Sequence, residues 1–159
     1  MAAPCVSAQV GPGVAEAAQY QGLHAAGHKG DVTQIEKLVA NRATVNARDG
    51  NGRTPLIVAT FARHQGAIRA LVNAGADINL LDSDRYDGVT MASVADDEAT
   101  LRVLLSLGAS AKQVTSRYDG TALIAAAHLG HDGVVKQLNV ETPGKFEVSN
   151  AETLLKQLG

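Results

Sequence analysis

Residues 23–46, LHAAGHKGDVTQIEKLVANRATVN, lie over residues 56–79, LIVATFARHQGAIRALVNAGADIN, with apolar, small and turn residues in step and no gap. The offset is 33 residues, and the near-identical words DRYDG (84–88) and SRYDG (116–120) anchor two further copies. A period of this length marks one supersecondary unit that cannot bury its apolar face alone and stacks on its neighbours instead. The chain is therefore constrained to a quasi-one-dimensional stack. Such a stack offers an extended surface rather than a catalytic pocket.

Composition agrees with thin layers. The 159 residues suit one domain. There is no tryptophan, and the aromatics are Tyr20, Phe61, Tyr86, Tyr118 and Phe146. A hydrophobic fraction of 45%, carried by Ala, Val, Leu and Ile, fits closely approaching helices better than a thick core. The net charge of −2, with Lys and Arg scattered, supplies no field to draw nucleic acid or an acidic membrane. Cys5 has no partner for an internal disulfide and stands in a Gly/Pro/Ala-rich leader without a charge to activate it. No apolar run approaches the roughly 20 residues a membrane span needs. The first basic residue is Lys29, so no charged segment of a secretory signal precedes the repeats. The expected compartment is the cytoplasm, with the periplasm as the alternative if a signal has been removed.

The second copy is the clearest. Asp49, Gly50, Asn51 and Gly52 make a turn, Thr54 offers an N-cap hydroxyl, and Pro55 suits the first helical position. This predicts a first helix from 55 to about 62 with Leu56 and Ala59 inward. A second helix, from about 65 to 73, carries the stripe Ile68, Leu71, Val72. Gly75 ends it in a left-handed conformation. The stripe returns as Ile35, Leu38, Val39 and as Leu101, Leu104, Leu105; Gly108 repeats the glycine ending, but Arg42 replaces it in the first copy. In the third copy the connector 82–88 reads as longer and the junction between helices as shorter, the two changes cancelling. The fourth has Thr121 as N-cap, Gly130-His131 at the junction, and Val134, Val135 and Leu138. Residues 14–20 read as a helical lead-in. After Leu138 the pattern stops. Ser149 and Glu152 have capping-box spacing before Leu154, Leu155 and Leu158, which predicts a short helix covering the open end of the stack; a partner-binding helix is the other reading. The expected organisation is a leader at 1–20, repeats at 21–138 and a tail at 139–159.

The words GRTPL (52–56), NAGADIN (73–79), LHAAGHKGD (23–31) and TALIAAAHLGH (121–131), recurring at the 33-residue period, resemble the ankyrin repeat over roughly 23–138. The resemblance implies an all-α ankyrin solenoid of helix-turn-helix units joined by hairpin loops, with the terminal helix as cap. It also implies a function by binding, along a concave surface of hairpin tips and first-helix ends. Carried over by position, the finger residues are Asn51, Arg53, Arg85, Tyr86, Arg117 and Tyr118. The first-helix ends supply His28, Lys29, Phe61, Ala62, Asp96, Asp97, His128 and Leu129. Tyr and Arg are the residues that dominate binding energy at interfaces. The repeated Arg-Tyr words admit a structural reading as well, with Tyr86 and Tyr118 packed across hairpins and Arg85 and Arg117 paired with neighbouring aspartates.

Sharper chemistry finds little support. His24 and His28, like His128 and His131, have the spacing of one helical face, yet no cysteine or carboxylate completes a closed metal site. The resemblance gives His24 and His131 a structural role, hydrogen-bonding turn backbone. Asp96-Asp97-Glu98 lacks the glycine a cation loop needs, and reads as a solvated junction or a patch for a basic partner. No lysine-serine word follows the glycines to make a phosphate cradle, and no serine or cysteine stands in a nucleophile context. No cofactor and no enzyme activity are expected. The expectation is a non-enzymatic module that binds a folded protein, monomeric unless it self-associates through its C-terminal end. The wording RYDGTALIAAAHLGH further resembles small bacterial ankyrin proteins, some of them exported. That makes protection of an envelope enzyme the alternative function.

Overall fold

The computed structural model describes residues 11–115 and 120–140, without the side chains of 139 and 140. Nine helices are formed among them: α1 Val14–Ala17, α2 Gly22–Lys29, α3 Val32–Ala40, α4 Pro55–Phe61, α5 Gln65–Asn73, α6 Gly88–Val94, α7 Glu98–Ser106, α8 Ala122–Leu129 and α9 Asp132–Val140. The expected terminal cap helix, Cys5, Phe146 and the pair Arg117 and Tyr118 lie outside the described residues.

Capping starts the helices where the sequence indicates. Thr54 accepts from the Ile57 amide, with Pro55 in the first turn, and Thr121 accepts from the Ile124 amide. Asp31, Asp87 and Asp97 do the same for α3, α6 and α7. Each cap satisfies an amide that the helix cannot pair internally. The first helices α2, α4, α6 and α8 stack in one layer and α3, α5, α7 and α9 in a second, each pair packed on itself and on the next. The stripes meet between the layers. Ile35, Ile68 and Leu101, at 33-residue intervals, are each fully buried, as are Leu71 and Leu104. Leu38, on the end copy, is only partly buried.

Side chains clamp neighbouring copies together through main-chain atoms. His24 Nε2 lies 2.9 Å from the Arg53 carbonyl oxygen, and His131 Nδ1 lies 2.8 Å from that of Ser93. The Asp77 amide donates to Asn46 Oδ1 at 3.0 Å, and the Ser110 amide donates to Asn79 Oδ1 at 2.8 Å, one copy later. Arg48 Nη1 donates to the Leu81 carbonyl at 2.6 Å.

The third copy corrects the sequence reading. It contains neither an insertion nor a shortened junction. The Asp49 amide donates to the Arg53 carbonyl, and the Asp82 amide donates to that of Tyr86, so the two hairpins have one length. Each aspartate also accepts two further amides with its own carboxylate, from Asn51 and Arg53 and from Asp84 and Tyr86. The junctions match as well. Asp96 takes a positive φ of 53° where Arg63 has 59°, and Asp97 caps α7. What reads as an acidic cluster is a turn residue followed by a cap. The extra residue falls later, since the Thr115 amide reaches the Gly120 carbonyl one position further along than in the earlier hairpins. DRYDG and SRYDG are consequently not equivalent: Gly88 opens α6, whereas Gly120 precedes the cap Thr121.

Two backbone positions decide the local geometry. At the end of the second helix Gly75 and Gly108 have φ of 91° and 92°, and Arg42 is held at 61° in the same place. At the first junction Gly30 has φ of 71°, and a Cβ there would stand 2.7 Å from Cγ of His64.

Candidate functional site

The hairpins place Arg53 and Tyr86 immediately before the N-cap positions of α4 and α6, and Tyr20, 33 residues before Arg53, stands in the same place before α2. A second set, at the C-terminal ends of the first helices, is His28, Phe61, Val94 and His128. Tyr20 and Val94 are missed by the sequence reading. Tyr20 was reachable by stepping back one period from Arg53. Val94 was hidden by the two-residue misregister that put Asp96 and Asp97 in its place.

Glu16, Tyr20, Asn51, Arg53 and Phe61 come together. Glu16 Oε1 accepts from Arg53 Nη1 at 2.7 Å and from Asn51 Nδ2 at 2.6 Å. The Tyr20 hydroxyl donates to Asp49 Oδ2 at 3.0 Å and lies 3.4 Å from the same Glu16 oxygen. The Arg53 guanidinium sits 5.4 Å from the centre of the Phe61 ring, within cation–π range. Tyr20 leans on His24 and His28 with ring centres 5.7 and 6.0 Å away. The backbone at Gly11 passes so close to Phe61 that a Cβ there would be 3.2 Å from the ring.

The electrostatics follow from burial and neighbours. Desolvation first, outweighing Arg53, and then the negative charges of Asp49 and Glu16, push the Tyr20 phenol up to about 12, so it stays a neutral donor. Burial opposes charge on Arg53, but its hydrogen bond to Tyr20 and the Glu16 carboxylate outweigh that and hold it above its ordinary value. Asp82 and Asp87, beneath the next hairpin, are raised above the usual carboxylate range, mainly by burial.

The remaining expected contact residues are dispersed. Arg85 is exposed at its hairpin tip with φ of 65°, and Tyr86 is half-buried beside it. His128 is exposed on α8. Asp96 is exposed at the α6–α7 junction, 3.9 Å from His131 Nδ1, whereas Asp97 is buried in its capping bond and 3.7 Å from Arg63 Nε. Arg53 is itself buried, turned onto Glu16 instead of outward. His24 and His131 are occupied by carbonyls, and among the described residues no group of three His, Cys, Asp or Glu is placed to share an ion. No helix among those residues is long and apolar enough to cross a membrane.

Two layers of capped helix pairs, clamped copy to copy and edged by hairpins, define a helical-repeat solenoid. A family model for ankyrin repeats, in three copies, matches residues 5–82. The ankyrin repeat protein YahD of Escherichia coli (strain K12) is 30% identical over 117 residues, 74% of this chain and 58% of YahD. Inversin of Gallus gallus is 31% identical over 85 residues, 53% of this chain and 8% of inversin. Neurogenic locus notch homolog protein 1 of Xenopus laevis is 32% identical over 105 residues, 65% of this chain and 4% of that protein. The chain thus spans little more than half of YahD and a small part of the others. The chain carries ankyrin repeats, and its all-helical fold is that of an ankyrin solenoid. Ankyrin repeats are protein–protein interaction modules, and the fold carries no enzymatic activity as a family property.

Proposed function

We propose that this chain is a non-enzymatic module that holds a folded protein along the face formed by its hairpin tips and first-helix ends. The observation that carries the reading is Phe61. Its neighbours in α4, from Pro55 to Thr60, are all buried in the stack, whereas Phe61 stays part-exposed under a guanidinium. Stacking does not need an aromatic there; an interface does, since aromatic and arginine side chains dominate binding energy. Tyr86, Arg85, Asn51 and His128 extend the surface, and Arg117 and Tyr118 are proposed to belong to it. Repeats at 21–138 with the tail at 139–159 as a cap remain the proposed organisation.

The test is capture from native extract by the purified chain, beside Phe61→Ala and Tyr86→Ala, with urea melts of all three. A specific protein held by the wild type should bind each variant about thirtyfold more weakly, as expected for losing a contact worth about 2 kcal/mol. Stability should change by only about 1 kcal/mol. Equal capture by all three would remove the face from consideration. The likeness to YahD gives reason to use bacterial extract and to fractionate it, which tests the alternative of an exported chain that stabilises an envelope enzyme.

A further inference from the structure

We propose that Tyr20, Asn51, Arg53 and Phe61 form a carboxylate-reading site within the partner-binding face. The partner enters it with a glutamate on a helical segment, and Glu16 of α1 fills it until displaced. The proposal rests on the face assignment above and adds the chemistry of the occupant.

Two donors from the 49–53 hairpin converge on a single oxygen of Glu16, the Arg53 Nη1 contact at 2.7 Å being charge-assisted and the Asn51 Nδ2 contact measuring 2.6 Å. With Glu16 in place the Arg53 side chain is 11% exposed, and its guanidinium also sits 5.4 Å from the centre of the Phe61 ring, a contact made to the stack itself. The site is single. One copy on, Asp84 and Tyr86 take the places of Asn51 and Arg53, so the donor pair is not repeated there.

Glu16 sits on a weak support. α1 has four residues, none buried, and Val14 is 91% exposed. One turn of helix does not sustain itself in water. Among the described residues, the side-chain hydrogen bonds from α1 to the stack are those of Glu16 to Asn51 and Arg53. The adjoining Gly11 covers Phe61, so the segment that supplies the carboxylate also covers the aromatic that the face would offer a partner. A helical turn bearing a carboxylate is therefore already docked on this surface, and it shows which occupant fits: a glutamate-bearing helix, matched in charge to Arg53 and in shape to the strip between Phe61 and the 49–53 hairpin.

The probe is a synthetic peptide of residues 11–20, GPGVAEAAQY, and its Glu→Gln counterpart. Each is titrated into the isotope-labelled full chain as wild type, Glu16→Ala and Glu16→Ala/Asn51→Ala, and followed by NMR. Urea melts verify that each chain is folded. A tethered segment competes at an effective concentration in the millimolar range, so peptide is added to that level. The glutamate peptide should shift the Asn51 side-chain amide and the Arg53 Nε signal of the Glu16→Ala chain. It should bind that chain about tenfold more tightly than it binds wild type, and about tenfold more tightly than the glutamine peptide does. Binding should weaken when Asn51 is removed. Equal binding of the two peptides, equal binding to wild type and Glu16→Ala, or no shifts at millimolar peptide would each overturn the proposal. A Glu16→Ala chain that dimerises with rising concentration would overturn the partner assignment in favour of a second copy. If the peptide result is negative while Phe61→Ala still abolishes capture, the protein-binding face stands and only its carboxylate chemistry falls.

Discussion

Gly30→Ala isolates two costs that usually arrive together. Gly30 ends α2 at φ 71° and ψ 21°, the left-handed region, where an L side chain costs roughly 1–2 kcal/mol. Its added Cβ would also stand 2.7 Å from both Cγ and Nδ1 of His64. Those atoms are near the root of the ring, so relief requires moving His64 and the start of α5, a strain of about 1–3 kcal/mol for overpacking. The two sum to about 2–5 kcal/mol. Gly130 holds the equivalent junction at φ 74° with nothing within 4 Å of a Cβ, so Gly130→Ala should cost only the first part. Urea unfolding followed by circular dichroism measures both, and a cycle with His64→Ala separates the clash from the backbone. In the His64→Ala background, Gly30→Ala should fall to about 1–2 kcal/mol. If it costs the same in both backgrounds, contact with His64 is not what makes that glycine necessary.

Leu71→Ala removes a fully buried side chain from the middle of the core and should cost about 2–5 kcal/mol. Hydrogen exchange should then show the stack losing protection as a whole, and loss confined to the neighbourhood of Leu71 would contradict a continuous stack. Arg42→Gly should raise stability by about 0.5–1 kcal/mol, because relief of φ 61° outweighs the added freedom of the unfolded chain; an unchanged or lower melting temperature would refute this. Asp87→Asn keeps an effective cap on α6 but removes a carboxylate whose folded value burial raises. A raised carboxylate means that the folded state binds the proton more tightly. The group's stabilising contribution is therefore complete below about pH 4, near the unfolded aspartate value, and is lost as pH rises through the folded value. The stability advantage of Asp87→Asn over wild type should grow from pH 4 to pH 7, and a flat or shrinking difference would show the burial argument to be wrong.

The sequence shows most of the scaffold because each local signal has a local cause. Pro55 and Thr54 fix the start of α4, and α5 runs from Gln65 to Asn73 as its stripe indicates. The stripe residues Ile35, Ile68 and Leu101 bury together because the period brings them to the same level of the stack. Legibility fails where one residue type serves two purposes. Asp96 and Asp97 resemble a charged patch, but aspartate both tolerates a left-handed backbone and caps helices, and here the neighbours use it once for each. The site fails differently. Arg53 and Glu16 are 37 residues apart, and no periodicity links a residue outside the repeats to one inside them. The repeat identified the face; only the fold places a carboxylate on it.

Because His24, Asn46, Arg48, Asn79 and His131 grip main-chain atoms of the adjacent copy, those joints do not read the neighbour's side chains. A carbonyl or amide presented at the right height serves whatever residue carries it. Hairpin tips can therefore change identity with little effect on how the copies register, and an added residue between Thr115 and Gly120 is taken up without disturbing the Ser110 and His131 joints on either side. Interchangeability of parts is built into the joints themselves: a copy transplanted from another position should dock, and what the surface recognises can drift while the stack endures.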